Sequence, residues 1–244
     1  MPPKPRPPQK PRAPQPKTRS GGIDPRLWFV LGAGALVGVV AVVLSISLGG
    51  GKSKTPTAVT ADLSSVAGIE QHGLVLGKPS AKVGLTEYLD TSCPICKNVA
   101  LAVFPTISKD YIRPGKVKLD ARVLAFVGPS SARGRELVLA AAQQNKAWQL
   151  IELLYQNQGD ETQAWLTDDL ARALAAKIPG LDVSKLLADA SSAAVQTEIE
   201  KVNSEAQADG VRGTPTLVVT TKTGKREGVS PDTLATALDQ ALAG

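Results

Sequence analysis

Residues 83–96 read VGLTEYLDTSCPIC, and this stretch decides the fold. Val83–Leu89 is a mostly apolar run of strand length and is expected to be a buried strand. It leads directly into Cys93-Pro94-Ile95-Cys96. A strand that delivers Cys-x-x-Cys to the start of a helix is the arrangement a redox dithiol needs. The helix start supplies unpaired N–H groups and a partial positive charge, both of which favour a thiolate on the first cysteine. Three-residue spacing brings both sulfurs onto one helical turn, within reach of a disulfide. Pro94 removes one N–H and stiffens the turn, and Ile95 adds apolar bulk between the cysteines. Cys93 is expected to be the exposed nucleophile and Cys96 the buried resolving thiol.

The bland alternatives are a static disulfide or two ordinary buried cysteines. A lone four-residue disulfide loop stabilises little, because closure entropy scales with loop length. A redox role is therefore the better reading. With two cysteines and one histidine in 244 residues, the chain falls short of the four Cys or His ligands of a structural zinc site, so no metal is expected. Nor is there a cysteine framework of the kind that staples small secreted domains. His72, between Gln71 and Gly73, reads as a solvated loop residue.

The net charge of +6 suggests nucleic acid until it is located. Residues 1–26 hold seven Lys/Arg and one acid, Asp24; the rest of the chain then has 21 basic and 21 acidic groups. The charge belongs to a tail, and a nucleic-acid partner is not expected. That tail also holds nine of the eighteen prolines, with PxxP spacings from Pro5 to Pro8 and Pro8 to Pro11. It is expected to be disordered, with extended polyproline character.

Leu27 to Leu48, LWFVLGAGALVGVVAVVLSISL, is uncharged over 22 residues. As a helix it would span ~33 Å, enough for a hydrocarbon core of ~30 Å. It is too long for the apolar part of a cleaved signal peptide, although Ser45-Ile46-Ser47 offers small residues at a cleavage spacing. The reading is a transmembrane signal anchor. Basic residues precede it, so the amino terminus is expected in the cytoplasm and residues 49–244 outside. Gly34 and Gly38 have the spacing of a helix-pairing motif, which glycine-rich membrane helices also show by composition.

Residues 49–77 read as a linker, flexible through Gly49–Thr60 and with room for one short helix between Ala61 and Gly77. The folded domain is expected over 78–244. Val99–Ile112 is amphipathic, with a kink expected at Pro105. Val117–Phe126 alternates apolar and polar as a second strand. From about 130 to 209 the period is helical, with breaks near Gly159, Pro179-Gly180 and Ser191-Ser192. Thr216–Thr220 and Lys225–Val229 flank Lys222-Thr223-Gly224 as a hairpin. Ser230-Pro231-Asp232 then opens a last helix, with Ser230 as N-cap.

Three runs together resemble the DsbA-like disulfide oxidoreductases, in their membrane-anchored bacterial branch: LVLGKPSAKVGLTEYLDTSCPIC (Leu74 to Cys96), WQLIELLYQNQG (Trp148 to Gly159) and GVRGTPTLVV (Gly210 to Val219). The resemblance covers about residues 74–220. It implies an α/β thioredoxin fold with an all-helical insertion, which matches the element order above. It implies that Thr214-Pro215 is the threonine and cis-proline facing the dithiol, where a client strand binds. By the same resemblance Glu87 is the buried acid beneath the dithiol, handling the proton of Cys96; from the residues alone a solvated strand carboxylate is equally good. Trp148 and Tyr155 match helical positions that belong to the core. Strongly oxidising relatives carry histidine between the cysteines, where this chain has Ile95, and Lys97 is a weak substitute for that charge.

The sequence therefore points to an extracytoplasmic thiol oxidase with no cofactor beyond the Cys93–Cys96 disulfide. Its expected partners are exported cysteine-containing clients and a membrane quinone-linked reoxidase. A reductase or isomerase on the same fold, or a chaperone-like client-binding module, are the rivals.

Overall fold

The structure, a computed structural model, describes residues 58–244. The basic tail 1–26, the predicted anchor 27–48 and the first part of the predicted linker lie outside the described residues. Among the described residues, no helix is long and apolar enough to cross a membrane.

Val83–Leu89 is the strand the sequence suggested (β3), and it occupies the middle of a six-stranded sheet. It pairs in parallel with Val117–Val123 (β4) and antiparallel with Thr216–Thr220 (β5), which pairs with Arg226–Val229 (β6). Its two faces differ: Val83, Leu85 and Leu89 face one side of the sheet, and Gly84, Thr86 and Tyr88 the other. Leu85, Leu89, Leu119, Leu217 and Val219 are buried in the main core. Each such side chain contributes about 1.5–3 kcal/mol on leaving water. Tyr88 and Val218 look the other way, into a smaller cluster with Leu124, Val202 and Ala206.

Two segments depart from the sequence expectation. Residues 58–77, read as linker, are built into the domain. Gln71–His72 (β1) and Val75–Leu76 (β2) form a short antiparallel pair, and β2 joins the sheet against β4. Val66 is fully buried, and the short helix expected here is only a turn at 64–68. The reason is side-chain capture from far away. Asn157 and Gln156 bond the main chain of Thr60 and Asp62. Arg113 donates to the carbonyls of Ala67 (2.7 Å) and Ser64 (3.1 Å). His72 thus sits on β1 rather than in a loop; it is exposed, with Nε2 2.6 Å from Glu70 Oε1. Second, β4 stops at Val123 instead of reaching Phe126, because the N–H groups of Phe126 and Val127 turn to the Asp90 carboxylate at 2.9 and 3.0 Å.

The chain from Pro94 to Ile112 stays helical through Pro105, and π-helical turns at Val99–Val103 and Ser108–Ile112 flank the proline. Such turns absorb a missing backbone donor without ending the helix. Between β4 and β5 lie five helices: α3 (Ser131–Ala142), α4 (Ala147–Gln156), α5 (Asp168–Ala175), α6 (Val183–Asp189) and α7 (Ala193–Ala208), after α1 (Pro94–Asn98) and α2 (Phe104–Ile107). The breaks carry local causes. Thr167, Asp182 and Ser192 cap α5, α6 and α7 by accepting from main-chain N–H groups at 3.2, 2.9 and 3.3 Å. The last segment opens as a 3-10 turn, Pro231–Thr233, before α8 (Leu234–Ala243). Ser230 is extended as a cap residue should be, but its hydroxyl meets the Thr233 side chain rather than a backbone N–H. Trp148 and Tyr155 are core residues on α4, and Trp148 stacks on Phe104 with centroids 5.7 Å apart.

Candidate active site

Cys93 ends the turn after β3 and is the residue that caps α1. Its backbone is extended (φ −77, ψ 119), Pro94 opens the helix, and the Cys96 N–H donates to Cys93 Sγ at 3.3 Å. Both cysteines are free thiols. The expected contrast in depth is smaller than the sequence suggested: Cys93 is only 4% exposed and Cys96 0%. What covers Cys93 is the loop before β5. Its thiol donates to the Thr214 carbonyl at 3.3 Å, and the Thr214–Pro215 peptide is cis. Ile95, by contrast, is 61% exposed, an uncovered apolar side chain between the sulfurs.

The electrostatics separate the two thiols. Cys93 is lowered to about 6, chiefly by the hydrogen bond from the Cys96 thiol, with the N–H groups of Cys96 and Ile95 adding to it against the cost of burial. Thr214 also contributes. As a thiol, Cys93 donates to the Thr214 carbonyl; once ionised it can only accept. The Thr214 hydroxyl, buried and without a partner among the described residues, is the donor at hand. Burial pushes the Cys96 thiol up, and its bond to Cys93 reinforces this. At neutral pH the pair is thiolate over thiol, poised for exchange at Cys93.

Glu87 lies beneath. The strand register puts it on the same face as Leu85 and Leu89, opposite Leu217 on β5. It is 6% exposed, and Oε1 has no hydrogen-bond partner among the described residues. Burial, with a smaller push from the Cys93 charge, raises it to about 8. The solvated-carboxylate alternative is thereby removed. A carboxyl that is protonated at neutral pH and electrostatically coupled to Cys96 can give or take a proton there.

Residues that sequence reasoning passed over hold the turn itself. The buried Asp90 accepts from Ser92 N–H (2.8 Å) as well as from Phe126 and Val127, so it ties the turn to the loop after β4. Its carbonyl takes the Cys93 N–H at 3.0 Å and the Tyr155 hydroxyl at 3.3 Å. Gln158 and Trp165 reach the same turn from the helical insertion. Asp90 and Gln158 lie inside the runs that carry the family resemblance, but no spacing rule singles them out.

A sheet of this order, with a dithiol at the start of its first crossover helix and a cis-proline loop facing it, defines a thioredoxin-fold thiol–disulfide oxidoreductase. The comparisons with known proteins agree. Residues 70–240 match the family model described as thioredoxin. The probable disulfide bond formation protein D of Bacillus cereus is 31% identical over 170 residues, covering 68% of this chain and 77% of that protein. Disulfide bond formation protein D of Bacillus subtilis is 30% identical over 154 residues, 61% of this chain and 68% of its own. Among solved structures, oxidised BdbD from Bacillus subtilis superposes with a TM-score of 0.63 at 26% identity, over 72% of this chain and 98% of that one. The chain belongs to the thioredoxin family, as a DsbA-like protein disulfide oxidoreductase.

Proposed function

We propose that the protein oxidises cysteine pairs in exported client proteins, from outside the cytoplasm, through the Cys93–Cys96 disulfide. The observation that carries this reading is the setting of Cys93: at the start of α1 its Sγ accepts the Cys96 N–H at 3.3 Å, above the fully buried Cys96, and the thiol is lowered to about 6 there. A favoured thiolate stabilises the dithiol form, so the disulfide is ready to take electrons. Backbone N–H groups and the Cys96 thiol lower Cys93 with isoleucine at position 95, so Ile95 does not by itself speak against oxidase activity.

A client thiolate attacks Cys93 Sγ and forms a mixed disulfide. The bond to Cys96 breaks, and the Cys96 sulfur leaves with the electron pair and takes a proton from Glu87. The client's second thiolate then attacks the client sulfur of the mixed disulfide, and Cys93 leaves as thiolate. Two electrons have passed from client to enzyme, while the client's protons go to Glu87 and solvent. Thr214 and Pro215 offer main-chain atoms to the client strand beside Cys93. A membrane quinone-linked reoxidase removes the two electrons, and residues 27–48 keep the enzyme at the membrane with it.

The direction is tested by trapping the steady-state redox form of Cys93 in growing cells with acid and an alkylating gel-shift reagent. An oxidase recycled at the membrane should be found mainly as disulfide. A population held mainly as dithiol would assign the protein to the reductases instead.

A further inference from the structure

We propose that Gln158 is a positioning residue for the dithiol: its side-chain amide clasps the turn that carries Cys93 and sets where the Cys93 sulfur sits against Cys96 and Thr214. The inference rests on reading Cys93 as the reacting sulfur. Gln158 Nε2 donates to the Thr91 carbonyl at 2.8 Å and to the Cys93 carbonyl at 3.1 Å. A carboxamide carries two N–H groups in one plane, one for each carbonyl. Thr91 is fully buried, where a carbonyl without a donor is costly. The Cys93 carbonyl also takes the Lys97 N–H at 3.1 Å, so Gln158 adds a second hold on the first carbonyl of α1.

The clasp is itself held from behind. Gln158 follows the end of α4, and the two residues before it grip the chain on the far side. Asn157 exchanges hydrogen bonds with the Thr60 main chain at 2.9 and 2.7 Å, and Gln156 accepts from Asp62 N–H at 2.9 Å while donating to its carbonyl. These bonds anchor the chain from which the Gln158 side chain reaches the turn. Tyr155 and Trp165 touch the same turn at Asp90 and Ser92, whereas Gln158 holds Cys93 itself. The donor chemistry is specific. Glutamate has the same shape, but it would turn oxygens toward two carbonyls and set a negative charge near the Cys93 thiolate. Alanine would leave the Thr91 carbonyl unmet and the Cys93 carbonyl held by the Lys97 N–H alone.

The test uses full-length protein, reduced and held in detergent micelles, with iodoacetamide alkylation followed from acid to alkaline pH and the modified residue read by peptide mass. Gln158→Ala should raise the Cys93 pKa by about one unit, which makes alkylation about tenfold slower at pH values below both midpoints. Gln158→Glu should raise it further. Folded variants that titrate like the wild type would overturn the inference while leaving the proposed function standing. Wild-type alkylation at Cys96 instead would overturn the assignment of Cys93, and the clasp with it. Should neither variant fold, hydrogen exchange of the Gln158 amide protons in ¹⁵N-labelled wild type decides: protection supports the clasp, and exchange at the rate of free amide overturns it.

Discussion

Glu87 binds its proton more tightly in the folded protein than in the unfolded chain, with a native value of about 8 against an ordinary 4.5. The sign of its effect follows. Its contribution to stability is complete below about pH 4.5 and is lost as pH rises through the native value, because the charged form must be buried. In the disulfide form neither thiol titrates, and without the Cys93 charge the native value of Glu87 falls somewhat below 8. Unfolding free energy of the oxidised wild type should therefore decline between about pH 5 and 8, by an amount on the order of a few kcal/mol. Glu87→Gln keeps the shape and removes the charge, so its profile over that window should be flatter. Equal slopes in urea unfolding at matched pH would show that Glu87 does not hold a proton in the native state. At this scale spacing made the Cys93–Cys96 pair legible, and the family resemblance supplied the cis Thr214–Pro215 peptide that no spacing rule gives. The sequence was illegible where chemistry depends on environment. The low pKa of Cys93 comes from N–H groups and a thiol rather than from the side chain at position 95.

The active-site turn is held where elements approach closely, and α3 comes nearest at Gly134. A Cβ built on Gly134 would lie 2.0 Å from Thr91 Oγ1 and 2.9 Å from Thr91 Cβ. Thr91 is fully buried in the turn, so it has no room to move aside. Two effects compete in Gly134→Ala. Alanine gains about 1 kcal/mol of helix propensity in a helix interior. Forcing a methyl into a packed contact costs about 1–3 kcal/mol, and here the overlap is with the β-carbon region of a side chain rather than a flexible tip. The clash should win, giving a lower urea midpoint with an unchanged m-value; a midpoint equal to or above wild type would mean that α3 does not press on the turn. The helices themselves were legible from their period and their breaks. Which glycine meets which neighbour was not, since helical periodicity gives a face but not the depth of contact. Residues 58–77 were misread for a related reason. Their polar, glycine-containing sequence looks like linker, and their order comes from Arg113, Gln156 and Asn157, far along the chain.

The chain divides its charge unevenly, and the proposed topology rests on that division. Seven Lys/Arg lie before Leu27, whereas the chain after residue 26 is balanced at 21 basic and 21 acidic groups. Export of the domain follows if the 27–48 run is a span, because basic residues flanking a span stay on the cytoplasmic side. The thioredoxin-like fold with its helical insertion was legible because one strand and one Cys-x-x-Cys fixed its centre and the later elements followed in order. The proposed arrangement across a membrane rests on the composition of residues that lie outside the described structure, so it needs a separate measurement. Two cysteines make that measurement clean, since no other thiol exists in the chain. Intact spheroplasts, reduced and then treated with a membrane-impermeant maleimide, should be labelled at Cys93 with the protein in the membrane fraction. Cys93→Ser should abolish most of that label, because Cys96 is deeper and its thiol is pushed up by burial. Label that appears only after lysis would place the dithiol in the cytoplasm and overturn export. Labelled protein in the soluble fraction, shortened near Ser45–Ser47, would keep export and replace the anchor with a cleaved leader.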